Sequence, residues 1–112
     1  MIPYLKIQGA KMNNRVKEEL INIITEIEYF IINNGGIFSE WYVGTTGDIK
    51  GRLYGYHNVK NTCTTVKIPC ELARVIERYF IEERKTDGGN GGADGNIYVY
   101  AYKKQNYTKE RG

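Results

Sequence analysis

The sequence lacks the features that mark several large classes of protein. Its two cysteines, Cys63 and Cys70, match neither a CxxC pair nor the Cys and His spacing of a zinc site. We therefore expect free thiols in a reducing compartment. The N-terminus lacks the apolar core of a signal peptide, and no apolar run reaches the roughly eighteen residues that a membrane-spanning helix needs. Together these absences predict a protein of the cytoplasm.

The sequence also lacks a large net charge. The formal net charge is +3, well short of the dense basic surface with which proteins neutralise the phosphates of duplex DNA. A small anionic ligand remains a suitable partner. The chain has 112 residues, of which 41% are hydrophobic and 26% charged, which is typical of one globular domain. We predict a single domain over residues 1–112, with a polar tail at about 104–112 that frays unless a partner orders it.

The periodicity of the apolar residues predicts an α+β domain with a small mixed or antiparallel sheet, a long N-terminal helix and two further helices. The N-terminal helix starts at Asn13 or Asn14 and stops at the Asn and Gly residues of 33–36. Its apolar stripe is expected to face the core, although it also suits a dimer interface. The further elements predicted are a strand at 37–44, a short helix at 48–58, a strand at 62–68, a helix from Pro69 to about 80, and a strand at 97–103.

A glycine-rich segment separates the last helix from the last strand. Residues 86–96 contain five glycines, which predicts a loop because glycine is costly in helices and strands. Consecutive glycines let backbone N–H groups surround a phosphate, and Arg52 is a candidate for an added charge-assisted contact. A flexible connector is the alternative. The segment is not a Walker or Rossmann motif, since no strand directly precedes it and no Lys-Ser or Lys-Thr closes it.

One stretch carries a more specific signal. Residues 41–53 read Trp-Tyr-Val-Gly-Thr-Thr-Gly-Asp-Ile-Lys-Gly-Arg-Leu, and His57 follows. This stretch resembles the second strand and the following helix of the GIY-YIG nucleases, with Tyr42-Val43-Gly44 in place of the second tripeptide and Arg52 in place of the catalytic arginine. Residues 73–77 resemble the helix whose glutamate holds the metal in that family. The resemblance covers about 37–80 and implies a GIY-YIG-like core.

The first tripeptide strand of that family is missing at its usual place. The nearest match, Gly36-Ile37-Phe38, lies too close to the second tripeptide to form a separate strand. We expect the strand at 97–103 to take the missing position in the sheet, as in a permuted relative. Its tyrosines at 98, 100 and 102 then share one face, and Ile97, Val99 and Ala101 share the other. The glycine-rich segment would pass close to Arg52.

The nuclease resemblance implies a catalytic site of Tyr42, Arg52, His57 and Glu77. In such an enzyme a tyrosine helps to activate water, the arginine neutralises charge on the phosphate, and the glutamate holds one Mg²⁺ or Mn²⁺ ion. DNA would be the substrate. Two plain alternatives stay open: Glu77 is a solvated residue of a charged helix, and His57 is a core or capping histidine.

The glycine-rich segment carries a second resemblance. The chain is rich in Ile, Lys, Asn and Tyr, and a helix ending in Tyr79-Phe80 precedes the run Thr-Asp-Gly-Gly-Asn-Gly-Gly and a tyrosine-rich strand. This arrangement resembles the phage anti-Thoeris sponges, which sequester cyclic ADP-ribose signals in the host cytoplasm. The resemblance implies a homodimer or larger homo-oligomer with the ligand near the subunit boundary, Phe80 stacked on adenine, and Asn90 in the pocket.

We rank sequestration of a cyclic nucleotide without cleavage first and metal-dependent cleavage of DNA second. Sequestration needs neither a cofactor nor a catalytic residue. A third possibility is a partner-binding module that uses the first helix. The predicted ligand-binding residues are Arg52, Phe80, Asp87, Gly88, Gly89, Asn90, Gly91, Gly92 and Tyr98.

Overall fold

The computed structural model describes residues 14–60, 65–69, 72–89 and 98–111. In these residues two α-helices and a short π-helix pack with a four-stranded mixed sheet, which confirms the predicted α+β class. No helix in these ranges is both long enough and apolar enough to cross a membrane. The elements are α1 (Asn14–Asn33), a 3-10 turn (Phe38–Glu40), β1 (Trp41–Thr46), the π-helix (Gly51–Tyr56), β2 (Thr65–Pro69), α2 (Ala73–Glu83), β3 (Asp87–Gly88) and β4 (Tyr98–Lys103).

The sheet has the strand order β2-β4-β1-β3. β4 lies between β2 and β1 and runs antiparallel to both, whereas β3 runs parallel to β1. Opposite Tyr42 in β1 lie Tyr102 of β4 on one side and Asp87 of β3 on the other. The last strand therefore does lie beside the strand of Tyr42, as expected, and the start of the glycine-rich segment lies on the opposite edge of β1.

α1 forms as predicted and covers one face of the sheet. Its apolar residues recur every three or four positions and so fall on one side of the helix, where they are buried against the sheet and α2. The helix ends at a Gly-Gly pair, because Gly35 and Gly36 adopt φ of 125° and 78° and the Gly36 N–H donates to the Ile31 carbonyl at 3.0 Å. The core residues shared by α1, α2, β1 and β4 include Leu20, Ile24, Ile27, Ile31, Trp41, Val43, Ile76, Phe80, Val99 and Ala101.

β4 has two faces of different character. Val99 and Ala101 point into the helix-packed core, whereas Tyr100 and Tyr102 lie with Tyr42 on the opposite face. This is the alternation predicted from the sequence.

Two predicted starting points are wrong. The strand predicted at 37–44 starts only at Trp41, where pairing with Lys103 begins, and the residues before it form a 3-10 turn. The helix predicted to start at Pro69 starts at Ala73, because Pro69 still pairs with Tyr98 at the end of β2. In both cases pairing with β4, which is distant in the sequence, decides the boundary.

The tail predicted to fray is instead packed against the tyrosine-bearing face of the sheet. The Lys109 N–H donates to the His57 carbonyl at 2.8 Å, and the Asn58 side chain donates to the Tyr107 carbonyl at 3.0 Å. Thr108 is buried. The tail is polar because its contacts are hydrogen bonds and ion pairs, so its composition gave no sign of its order.

Candidate functional site

The candidate site is built around Tyr42. This residue projects from β1 on the face away from α1, and its ring stacks with that of Tyr102 at 5.4 Å between centroids and with that of Tyr100 at 6.2 Å. The ring of His57 lies 4.6 Å from that of Tyr42. We call these four side chains the tyrosine cluster. All four are buried, and stacking of this kind holds aromatic rings in a fixed arrangement.

Arg52 is brought to the cluster by the turn that follows β1. Asp48 begins the helical segment, since its side chain accepts from the Gly51 N–H at 3.1 Å, which caps the helix start. The Arg52 guanidinium lies 3.9 Å from the centroid of the Tyr56 ring. It also lies close enough to the Tyr100 hydroxyl for hydrogen bonding between the two groups to affect the pKa of each. The charged group is thus held against two aromatic rings while Arg52 stays partly exposed.

The π-helix explains how His57 reaches the same cluster. The His57 N–H donates to the Arg52 carbonyl, five residues earlier, at 2.9 Å, so the turn is wider than that of an α-helix. The side chain is fully buried and both ring nitrogens have partners: Nδ1 lies 2.6 Å from the Lys109 carbonyl and Nε2 lies 2.7 Å from the Tyr100 hydroxyl. Burial lowers the pKa of His57, an effect that nearby Arg52 adds to and the Lys109 hydrogen bond opposes. His57 therefore has the burial of a core histidine.

Glu77 projects from α2 into the interior and is only 3% exposed, so the interpretation as a solvated surface residue is wrong. Its Oε1 atom has no hydrogen-bond partner among the described residues. Burial raises the pKa of Glu77 to about 7, although Arg74, Arg78 and Arg52 oppose the shift. Glu77 also lies close enough to Tyr42 and Tyr100 for its charge to raise their pKa values.

The glycine-rich segment starts directly beside Tyr42. Asp87 and Gly88 form β3, and a Cβ atom on Gly88 would clash with the Ile81 side chain and lie 2.9 Å from the Val43 carbonyl oxygen. A Cβ atom on Gly89 would lie 3.0 Å from the Tyr42 hydroxyl. Both glycines therefore allow the backbone to approach β1 closely.

Asp87 links this segment to the C-terminal tail. Its carboxylate accepts from Arg111 Nη2 at 2.6 Å and from Lys104 Nζ at 3.4 Å. The hydrogen bond from Arg111 is the main cause of the lowered pKa of Asp87. The start of the glycine-rich segment, Arg111 and Arg52 thus surround Tyr42, whose pKa responds to the charges of all of them.

The predicted site residues fall into four groups. Tyr42, Arg52, His57 and Glu77 converge, and Asp87 to Gly89 lie beside them. Phe80 lies in the helix-packed core, and none of its surface is exposed to solvent. Tyr98 begins β4 and is half-buried. Asn90, Gly91 and Gly92, like Cys63 and Cys70, lie outside the described residues.

Sequence reasoning missed two contributors to the site. Tyr102 was assigned to the correct face of the strand but was not among the predicted site residues, and it donates to Glu110 at 2.9 Å. Arg111 was placed in a fraying tail, and its partner Asp87 is 24 residues away. For Tyr102 the only available signal was the alternation of tyrosines in the strand. No local sequence pattern indicates the contact of Arg111 with Asp87.

In the part of the chain that the structure describes, the site offers few ligands to a divalent metal. Among the residues that the structure describes, no three His, Cys, Asp or Glu side chains come together in a group that could hold a metal ion. Glu77 is buried with a raised pKa, and both nitrogens of His57 are engaged. Carboxylate-poor sites of this kind suit Mg²⁺ poorly, since Mg²⁺ prefers several oxygen ligands in octahedral geometry.

Comparison with known proteins leaves the family open. No family model, curated protein or solved structure matches the chain.

Proposed function

We propose that this protein binds a phosphorylated nucleotide of the cyclic ADP-ribose class and sequesters it without cleaving it, acting as a phage-type anti-defence protein in the cytoplasm of the host. The observation that carries the proposal is the convergence on Tyr42 of Arg52, the start of the glycine-rich segment and Arg111. The resemblance of the glycine-rich segment and its flanks to the anti-Thoeris sponges supports the choice of ligand.

Binding of an anion is supported by the chemistry around Tyr42. Arg52 is partly exposed and held in place by Tyr100 and Tyr56. A guanidinium pre-oriented in this way loses little entropy when it forms paired hydrogen bonds to a phosphate. The glycine-rich segment begins beside Tyr42, and backbone N–H groups of glycines, which carry no side chains, suit a phosphate.

The absence of cleavage is supported by the lack of a base in the cluster. Burial raises the pKa values of the Tyr42, Tyr100 and Tyr102 hydroxyls, so these groups stay protonated at neutral pH. His57 has no exposed surface, and its one basic nitrogen already accepts from Tyr100. A general base must reach the proton that it abstracts, and no described group of the cluster is arranged to do so.

Self-association is part of the proposal. The outer face of α1 exposes Ile21, Tyr29 and Ile32, at 41%, 62% and 52% of their surface. Spacings of eight and three residues place these side chains on one side of the helix. An apolar stripe of this kind suits a second copy of the chain. Sedimentation of the purified protein would show a dimer or larger assembly, and a monomer at all concentrations would refute this part.

The direct test is a thermal-shift panel of cyclic ADP-ribose isomers and cyclic di- and trinucleotides, followed by heat denaturation and chromatography of the released ligand. A ligand present at 100 times its Kd stabilises a protein by about 2.7 kcal/mol, which raises the Tm by several degrees in a domain of this size. We expect a shift with one class of ligand and recovery of that ligand intact. No shift with any member of the panel would refute the proposal.

Arg52→Ala provides the matched variant. It should lose most of the shift, because the arginine at the site is gone. Arg15→Ala is the control, since Arg15 is an exposed arginine at the start of α1, the helix that covers the opposite face of the sheet. Equal shifts in the two variants would place the ligand elsewhere.

Cleavage of DNA remains the second candidate, because Tyr42, Arg52 and Glu77 meet at one place, as the GIY-YIG resemblance implies. The test is incubation of duplex and single-stranded DNA with the protein and Mg²⁺ or Mn²⁺. Cleavage by the wild type that is lost in Glu77→Gln would favour the nuclease and overturn the ranking. Intact DNA together with a recovered nucleotide ligand would favour sequestration.

A further inference from the structure

The buried ring of His57 has its proton in a definite place. A carbonyl oxygen can only accept, so the 2.6 Å contact between Nδ1 and the Lys109 carbonyl places the proton of the neutral ring on Nδ1. Nε2 must then accept, and the Tyr100 hydroxyl, 2.7 Å away, donates to it. The hydroxyl proton of Tyr100 is therefore committed to His57.

The direction of this hydrogen bond determines which group donates between Tyr100 and Arg52. With its proton directed at His57, the Tyr100 oxygen presents a lone pair to Arg52, which donates to it. The hydrogen bonds then run in one direction, from the Arg52 guanidinium through the Tyr100 hydroxyl and the His57 ring to the Lys109 carbonyl. Each link is buried or partly buried, where hydrogen bonds strengthen one another and an unmade bond is costly.

His57 also supports the second contact of Arg52. The Arg52 guanidinium lies over the Tyr56 ring, and that ring meets His57 edge to face at 4.9 Å between centroids. Tyr56 and Tyr100, the two aromatic residues that orient the guanidinium, therefore both contact the His57 ring.

We propose that His57 and Tyr100 are positioning residues that orient the Arg52 guanidinium for its anionic ligand and tie that orientation to the C-terminal tail through Lys109. They do not touch the ligand and take no part in chemistry. The link to ligand affinity rests on the proposed function, whereas the orientation of Arg52 is a property of the free protein.

The first arm of the test needs no ligand. Restricted rotation of the Arg52 guanidinium is read from its side-chain ¹H–¹⁵N NMR signals in the wild type and in Tyr100→Phe, which loses only the hydroxyl. Tyr54→Phe is the matched control: Tyr54 is an exposed tyrosine of the same π-helix as Arg52, and its hydroxyl accepts from Lys67 Nζ at 3.4 Å. We expect averaged Arg52 signals in Tyr100→Phe alone. Restricted signals in that variant would overturn the proposal.

A pair of His57 variants separates the hydrogen bond that His57 makes with Tyr100 from the one that it makes with the Lys109 carbonyl. The amide of His57→Gln can stand in for Nε2 and accept from Tyr100, whereas the amide of His57→Asn can stand in for Nδ1 and donate to the Lys109 carbonyl. Both variants lose the imidazole ring, so each controls for the loss of stability that removal of the ring causes in the other. We expect the Arg52 signals to stay closer to wild type in His57→Gln, and the reverse order would overturn the proposal.

The second arm measures the affinity for cyclic ADP-ribose by calorimetry. Loss of the bond that orients a charged donor should weaken binding about tenfold in Tyr100→Phe, and Tyr54→Phe should bind like the wild type. Equal affinities in Tyr100→Phe and wild type would overturn the role in binding. If the wild type binds no member of the nucleotide panel, the proposed function fails, and the NMR comparison alone decides the positioning of Arg52.

Discussion

The ring of Tyr100 lies directly over Gly44 of the neighbouring strand. A Cβ atom on Gly44 would lie 2.5 Å from the Tyr100 hydroxyl oxygen and 2.6 Å from the carbon that bears it. The glycine of the Tyr42-Val43-Gly44 tripeptide therefore makes room for the tyrosine that anchors both His57 and Arg52. The tripeptide has a packing role in this chain, whatever its ancestry.

Replacement of Gly44 with alanine should displace Tyr100 and destabilise the protein by about 1 to 3 kcal/mol, the usual cost of overpacking. Gly55→Ala is the control, because nothing lies within 4 Å of a Cβ atom there and alanine favours helix over glycine. Urea unfolding measures both. A Gly44→Ala protein as stable as the wild type would show that Tyr100 can move without cost.

Glu77 should make the protein less stable as the pH rises. Its pKa is about 7 in the folded protein against an ordinary 4.5, so the folded state holds a proton that the unfolded state loses. The penalty is absent below pH 4.5, grows up to pH 7 and then stays constant. A shift of this size corresponds to about 3 kcal/mol.

The variant Glu77→Gln removes the titration and keeps the shape of the side chain. We expect the free energy of unfolding of Glu77→Gln, relative to that of the wild type, to increase between pH 4.5 and 8, because only the wild type loses stability over this range. Glu82→Gln, at an exposed position of the same helix, is the control and should follow the wild type. A constant difference between Glu77→Gln and wild type across this range would contradict the raised pKa.

Phe80 is expected to act through stability. Its side chain is fully buried in the core, and replacing such a phenylalanine with alanine typically costs 3 to 5 kcal/mol, here about 4 kcal/mol. Ile37→Ala is the comparison, since Ile37 is 52% exposed and should cost well under about 1 kcal/mol. Thermal unfolding distinguishes them. A Phe80→Ala protein with unchanged Tm and lost ligand binding would instead support the stacking role that the sponge resemblance implies.

Removal of residues 108–112 should destabilise the protein although the segment is polar and terminal. The truncation takes away the Lys109 carbonyl that holds His57, the Glu110 carboxylate that accepts from Tyr102, and the Arg111 side chain that binds Asp87. Buried groups left without partners cost about 1 to 3 kcal/mol each. Removal of Gly112 alone is the control.

Hydrogen exchange provides a second measurement of the tail. The Lys109 amide donates to the His57 carbonyl, so it should exchange much more slowly than an amide of a frayed terminus. Rapid exchange at Lys109, or an unchanged Tm after truncation, would show that the tail is not part of the fold.

Local patterns were sufficient for the elements whose contacts repeat along one segment. α1 was predicted with its boundaries, because its apolar spacing and its Gly-Gly end act within a few residues. The two faces of β4 were predicted for the same reason. The boundaries of β1 and α2 were missed, since they depend on pairing with β4, which lies about 30 to 60 residues away in the sequence.

By itself, the sequence determined the α+β class, the amphipathic helices and the alternation of β4, because these follow from short-range periodicity. The grouping of Tyr42, Arg52, His57 and Glu77 as candidates came from the GIY-YIG resemblance. The tertiary structure alone decided that Glu77 and Phe80 are buried, that His57 is enclosed by Tyr100 and the tail, and that Arg111 reaches Asp87. Burial and partnership depend on segments far apart in the chain. They set the pKa of each group and decide whether a polar side chain meets solvent or a neighbour.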